Sequence, residues 1–187
     1  MKYYSAQDLA GAFRTVRNNT IKIAEDIPAE HYGFRVSPES SSVAETLAHI
    51  AAAPRWSKSM HTQRITHPDF ATFRAGHEEL MKYQATLTTK AQIVDALRTG
   101  GEEFATWLGT LNDELLAERV YFPEGAQPPS KTRFEMLLSP KEHEMHHRAQ
   151  LMVVERMLGI VPHLTREQQA RMAAMEQPPA KAQAGKA

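Results

Sequence analysis

The chain has 187 residues, balances 22 Lys and Arg against 22 Asp and Glu, and contains no cysteine. That length suits one domain with a sizeable core, and a neutral balance without a basic block excludes nucleic acid and anionic membrane as default partners. The lack of cysteine excludes disulfides, a thiolate nucleophile and Cys-ligated zinc or iron–sulfur centres, so any metal must be held by nitrogen and oxygen ligands.

In chain order, the start MKYYSAQDLAGAF has neither the apolar core nor the cleavage site of a signal peptide. No apolar run approaches the roughly 20 residues of a membrane span, so a cytoplasmic protein is expected. Leu9, Phe13, Val16, Thr20, Ile23 and Ile27 recur every three or four residues and predict a first amphipathic helix that stops at Pro28. After the polar connection EHYGFRVSPES, Ser42 and Glu45 form a capping box ahead of Val43, Leu47 and Ile50, which opens a second helix. Pro54 removes a backbone donor inside it and is expected to kink it. Met60 to Thr88 reads as a loop followed by a short or irregular helix. Thr89 and Gln92 cap a further helix through Ile93, Leu97, Phe104, Leu108 and Leu111. Gly100 and Gly101 interrupt it, so either it bends there or another backbone packs closely against it. A long loop rich in Pro and Gly, LNDELLAERVYFPEGAQPPSK, precedes the last main helix. That helix carries Phe134, Leu137 and Leu138 and ends at Gly159; at Ser139-Pro140 it either kinks or starts anew. The sum is an all-α four-helix bundle over residues 1–170, with a polar, flexible tail over 171–187.

The chemistry concentrates in SPKEHEMHHRAQL. His143 and His147 stand four apart, about 6 Å along a helix and about 40° around it, so both can aim at one point. Val154 and Leu158 continue their stripe, flanked by Gln150 and Leu151, which turns the pair toward the interior. His146 lies off that direction and reads as a surface residue or as one that braces a ligand. Two imidazoles hold a metal weakly, and the candidate third is His49 on the second helix, in register with Ala53, Trp56 and Met60. The small residues Ala48, Ala51, Ala52 and Ala53 let a partner helix come close beside it. Glu142 and Glu144 face away from the pair and read as solvated charges. Trp56 is a candidate wall of a substrate pocket, Arg148 a candidate partner for a substrate carboxylate, and Tyr32 with Phe34 a candidate lid. His31, His61, His67, His77 and His163 have no partner at ligand spacing and read as solvent-exposed.

FRVSPESSSVAETLAHI resembles the first signature of the DinB/YfiT-like family of metal-dependent enzymes, and HEMHHRAQLMVVERMLGI resembles its second. With the helices between them, the similarity covers nearly all the chain before the tail. The resemblance implies a DinB-like four-helix bundle of up-down-down-up type with long connecting loops. It further implies a divalent metal, zinc or nickel, on three histidines that fall on His49, His143 and His147. Ala149 departs from the family's usual glycine after the arginine, which bears on close substrate contacts rather than on metal binding. The family includes thiol-dependent transferases and isomerases, and it often pairs bundle helices into a homodimer.

Three neutral imidazoles leave a tetrahedral ion one open position, which can activate a water for hydrolysis or hold a thiol as thiolate. Hydrolysis also calls for a general base that neither Glu142 nor Glu144 is placed to supply, whereas thiol activation does not. The expected function is transfer of a low-molecular-weight thiol to a small electrophile, with hydrolysis of a small substrate just behind. The alternative of a different kind is a non-catalytic bundle that binds a metal or a stress-related ligand.

Overall fold

Side-chain caps start almost every helix of this protein. A computed structural model describes residues 4–176. Helices α1 (Ala6–Asp26), α2 (Val43–Thr62), α3 (Phe70–Thr86), α4 (Lys90–Gly109) and α6 (Arg133–Met157) each open on a reciprocal capping box, led by Ser5, Ser42, Asp69, Thr89 and Thr132. Each box satisfies backbone donors that a helix start leaves unpaired. The short α5 (Asp113–Ala117) is capped by Asn112, and α7 (His163–Glu176) follows the positive-φ turn at Gly159. Among the described residues no helix is long and apolar enough to cross a membrane.

Helix α1 packs on α4 and α6, and α2 packs on α3, α4 and α6, so α1, α2, α4 and α6 form the bundle while α3 lies outside against α2. One apolar cluster joins Ile23, Leu47, Ile50, Ile93, Leu97 and Leu151; a second joins Leu9, Phe13, Phe104, Leu108 and Leu137. Between them sits a buried ion pair. Arg17 Nη2 lies 2.9 Å from Glu144 Oε2, with the two side chains 3% and 2% exposed. Arg17 also donates to the carbonyls of Leu97 and Ile50 at 3.0 and 3.2 Å. The second of these has a specific cause. Pro54 has no N–H, so the Ile50 carbonyl four residues earlier loses its helical partner, and the guanidinium supplies the missing donor.

Several expectations need correction. The segment read as a loop with an irregular helix holds the 17-residue α3, whose Gly76 lies flat on the Trp56 ring: a Cβ there would fall 2.2 Å from it. Helix α4 continues through Gly100 and Gly101, and what approaches Gly101 is the Arg17 side chain rather than a backbone. Of the two alternatives at Ser139-Pro140, a new helix start fails, because α6 is a single helix through Pro140. The long Pro- and Gly-rich loop contains α5 and an antiparallel ribbon, β1 (Arg119–Tyr121) with β2 (Ser130–Thr132), pairing Val120 with Lys131. Glu144, read as a solvated charge, is the buried partner of Arg17. Tyr32, a candidate lid, is buried and donates its hydroxyl to the Ala24 carbonyl at 2.6 Å, so it is part of the core.

His61 and His163, read as exposed, are 1% and 3% exposed. Helix α7 runs past residue 170 to Glu176, and the rest of the expected flexible tail, 177–187, lies outside the described residues. Where α6 and α7 meet, Glu155 is fully buried with neither carboxylate oxygen hydrogen-bonded. Burial, reinforced by the charge of Asp26 and opposed by Arg166 and Arg156, pushes its carboxyl up to about 7.

Candidate metal centre

The turn that carries the second histidine group is the middle of α6, and the facing surface is the alanine-rich middle of α2. Small side chains on α2 let the helices approach, and the structure brings His49, His143 and His147 together, with one ring nitrogen from each within 4.8 Å of the others. His49 Nε2 lies 3.0 Å from His143 Nε2, which lies 3.2 Å from His147 Nε2. Ligands about 2.0–2.1 Å from a tetrahedral zinc stand roughly 3.3 Å apart, so a slight opening of this cluster accepts an ion.

The protonation states fit a cation as well. Burial, then the neighbouring His147, pulls His143 down to about 4, and burial also lowers His49. Both rings are therefore neutral at pH 7 and carry a lone pair. Hydrogen bonds outside the cluster orient the rings. His147 Nδ1 donates to Gln150 Oε1 at 3.0 Å, and the Gln150 amide reaches His146 Nε2 at 3.2 Å. That chain leaves the His147 lone pair on Nε2, facing its partners, and gives exposed His146 a bracing place outside the cluster. Gln84 of α3 lies 2.8 Å from His49 Nδ1. With a cation on Nε2, His49 carries its proton on Nδ1, and Gln84 meets it through its amide oxygen, a half-turn of the amide. Neither Gln84 nor the bridging role of Gln150 was legible in the sequence, since each depends on side-chain direction rather than spacing.

Two cavities flank the cluster. One, of about 310 Å³ between α2, α6 and the β ribbon, is bordered by His49 and His143 and walled by Trp56, Met60 and Phe122. The other, of about 460 Å³, is bordered by His49 and His147 and lined by Ser40, Ser41, Thr46 and Gln150. Trp56, a candidate pocket wall in the sequence, lines the first of these cavities. Arg148 is half-buried and lines neither cavity, and its Nε is shut from water without a partner. Among the described residues, neither cavity wall contains an Asp or Glu. Of the two acids that flank His143 on α6, Glu144 is committed to Arg17, and Glu142 is exposed and lines neither cavity.

The DinB family model matches residues 3–179. A DinB-like protein from Bacillus cereus superposes with a TM-score of 0.65 at 16% identity, covering 86% of this chain and 97% of its own. A DinB-like protein from Bacillus subtilis gives 0.60 at 22% identity, covering 81% and 91%. No curated protein matches the chain.

Proposed function

The chain belongs to the DinB family, and from that membership we propose a metal-dependent enzyme that transfers a low-molecular-weight thiol to a small electrophilic substrate. His49, His143 and His147 would hold a divalent ion, zinc or nickel, as three neutral nitrogen ligands. Such an ion supplies positive charge that favours the deprotonated form of a thiol.

The observation that carries the reading is the placement of the three rings between two cavities whose walls hold no carboxylate among the described residues. A two-substrate transfer needs room on both sides of the reacting sulfur. Base-assisted hydrolysis needs a proton acceptor beside the water, and Glu144 is turned away into the bundle. The chain's own groups then divide the work. Gln84 and Gln150 hold His49 and His147 in orientation. The hydroxyl-bearing cavity offers hydrogen bonds to a polar thiol, and the walls of Trp56, Met60 and Phe122 exclude water around the electrophile.

The test loads the protein with zinc or nickel, measures occupancy by mass spectrometry, and screens low-molecular-weight thiols against electrophilic acceptors. Turnover with a thiol, lost together with metal in His49→Ala, His143→Ala and His147→Ala, is expected. Full metal retention in all three variants, or hydrolysis without thiol dependence, overturns the reading.

A further inference from the structure

The cavity beside His49 and His143 extends along α2 to a second polar end. His61 borders it twelve residues beyond His49, about 18 Å further along the helix. Its ring is 1% exposed and its environment fixes its tautomer. Arg133 Nη1 lies 3.0 Å from His61 Nδ1, and a guanidinium has only donors, so Nδ1 accepts. Burial, aided by the Arg133 charge, holds the ring neutral, with its titration pulled down to about 4. The single proton therefore sits on Nε2. That N–H is buried and has no acceptor, a costly state for a polar group.

The rest of the guanidinium is spoken for by Glu118 and the Ile65 carbonyl, so Arg133 serves to hold the ring. At the same cavity stands Lys131 of β2, whose ammonium makes no hydrogen bond or salt bridge among the described residues. Its ribbon partner Val120 is fully buried and anchors that strand. Between the two polar ends the wall is apolar, and Met60 and Met136 are unbranched side chains that turn readily to admit a ligand.

We propose that this cavity binds an elongated small molecule with an apolar body and a terminal carboxylate, the carboxylate held by His61 Nε2–H and Lys131, with the opposite end at the histidine cluster. His61 and Lys131 are then specificity-determining residues. The inference deepens the transferase reading by naming the class of its acceptor, and only the reacting end of the ligand rests on that reading. A carboxylate supplies the acceptor that the orphaned Nε2–H lacks and a direct ion pair for the Lys131 ammonium, whose charge reaches Glu135 without a salt bridge, whereas an amine supplies neither. An alcohol can accept the hydrogen bond but leaves the cation unpaired.

Titration calorimetry on the full chain with octanoate, octanol and octylamine tests this. Octanoate is expected to bind best and octylamine not at all. His61→Phe and Lys131→Met should each weaken octanoate about tenfold or more, with circular dichroism checking the fold of each. Lys131 lies on the ribbon, so its variant keeps the test decisive if His61→Phe misfolds. Octanoate should bind the chelator-treated chain within about twofold of the zinc-loaded chain, which separates failure of this inference from failure of the metal-centre reading. Equal binding of octylamine, no binding of octanoate, or affinity untouched by both substitutions overturns it.

Discussion

Replacing Glu155 with glutamine should change how stability depends on pH, and the size of the change follows from the surroundings of the carboxyl. In the folded protein it is fully buried with both oxygens unpaired, and it titrates near 7 instead of its ordinary 4.5. A pKa raised by folding means the folded state holds the proton more tightly than the unfolded state. The contribution is therefore intact below about pH 4.5 and is lost as pH rises through 7. At about 1.4 kcal/mol for each tenfold change in proton affinity, the full loss is roughly 3 kcal/mol, of which roughly 2.5 falls between pH 5 and pH 8. His61 acts with the opposite sign, because its lowered titration costs stability as pH falls below about 6.5. Both chains keep His61, so the difference between them isolates residue 155. Urea unfolding of parent and Glu155→Gln at pH 5, 6, 7 and 8, extrapolated linearly to water, measures that difference. The variant should gain roughly 2.5 kcal/mol on the parent across that range. Stability curves that run parallel from pH 5 to 8 would refute an unpaired, buried carboxyl at this position.

Removing either partner of the Arg17–Glu144 pair strands a buried charge, so Arg17→Met and Glu144→Leu should each cost about 3–5 kcal/mol in urea unfolding, while the double variant recovers most of the loss. Gln84→Leu and Gln150→Leu should leave stability nearly unchanged and weaken metal binding roughly 10–100-fold in a competitive chelator titration, since each removes a bond that orients a ligand. Gly76→Ala pushes a methyl into the Trp56 ring and should cost about 1–3 kcal/mol by denaturant titration, with a shift in Trp56 fluorescence as α3 lifts from α2.

The four bundle helices were legible through their apolar stripes, led in α2 and α4 by a capping box, as Thr89 with Gln92 stands ahead of Ile93 and Leu97; the boxes at Ser5 and Thr132 went unread. Helix α3 was not, because it lies outside the bundle and buries fully only Gly76, leaving the pattern little to report. His143 and His147 were visible through spacing alone, and His49 through its register with Ala53 and Trp56. Glu144 misled for a definite reason. A position about 100° from an inward residue faces water on a helix with one packed side, but α6 is contacted by both α1 and α2, so its second side is interior too. His61 carried no signal, since its partner Arg133 is 72 residues away in sequence.

The proline in α2 and the arginine in α1 form one unit of inheritance. Pro54 frees a carbonyl that Arg17 occupies, Glu144 neutralises Arg17, and Gly101 leaves the space for its side chain. A new residue at 54 would restore a donor that competes with the guanidinium, and a side chain at 101 would collide with it. Sequence drift at any of these four positions is therefore conditional on the other three, and in related chains they should change together or not at all.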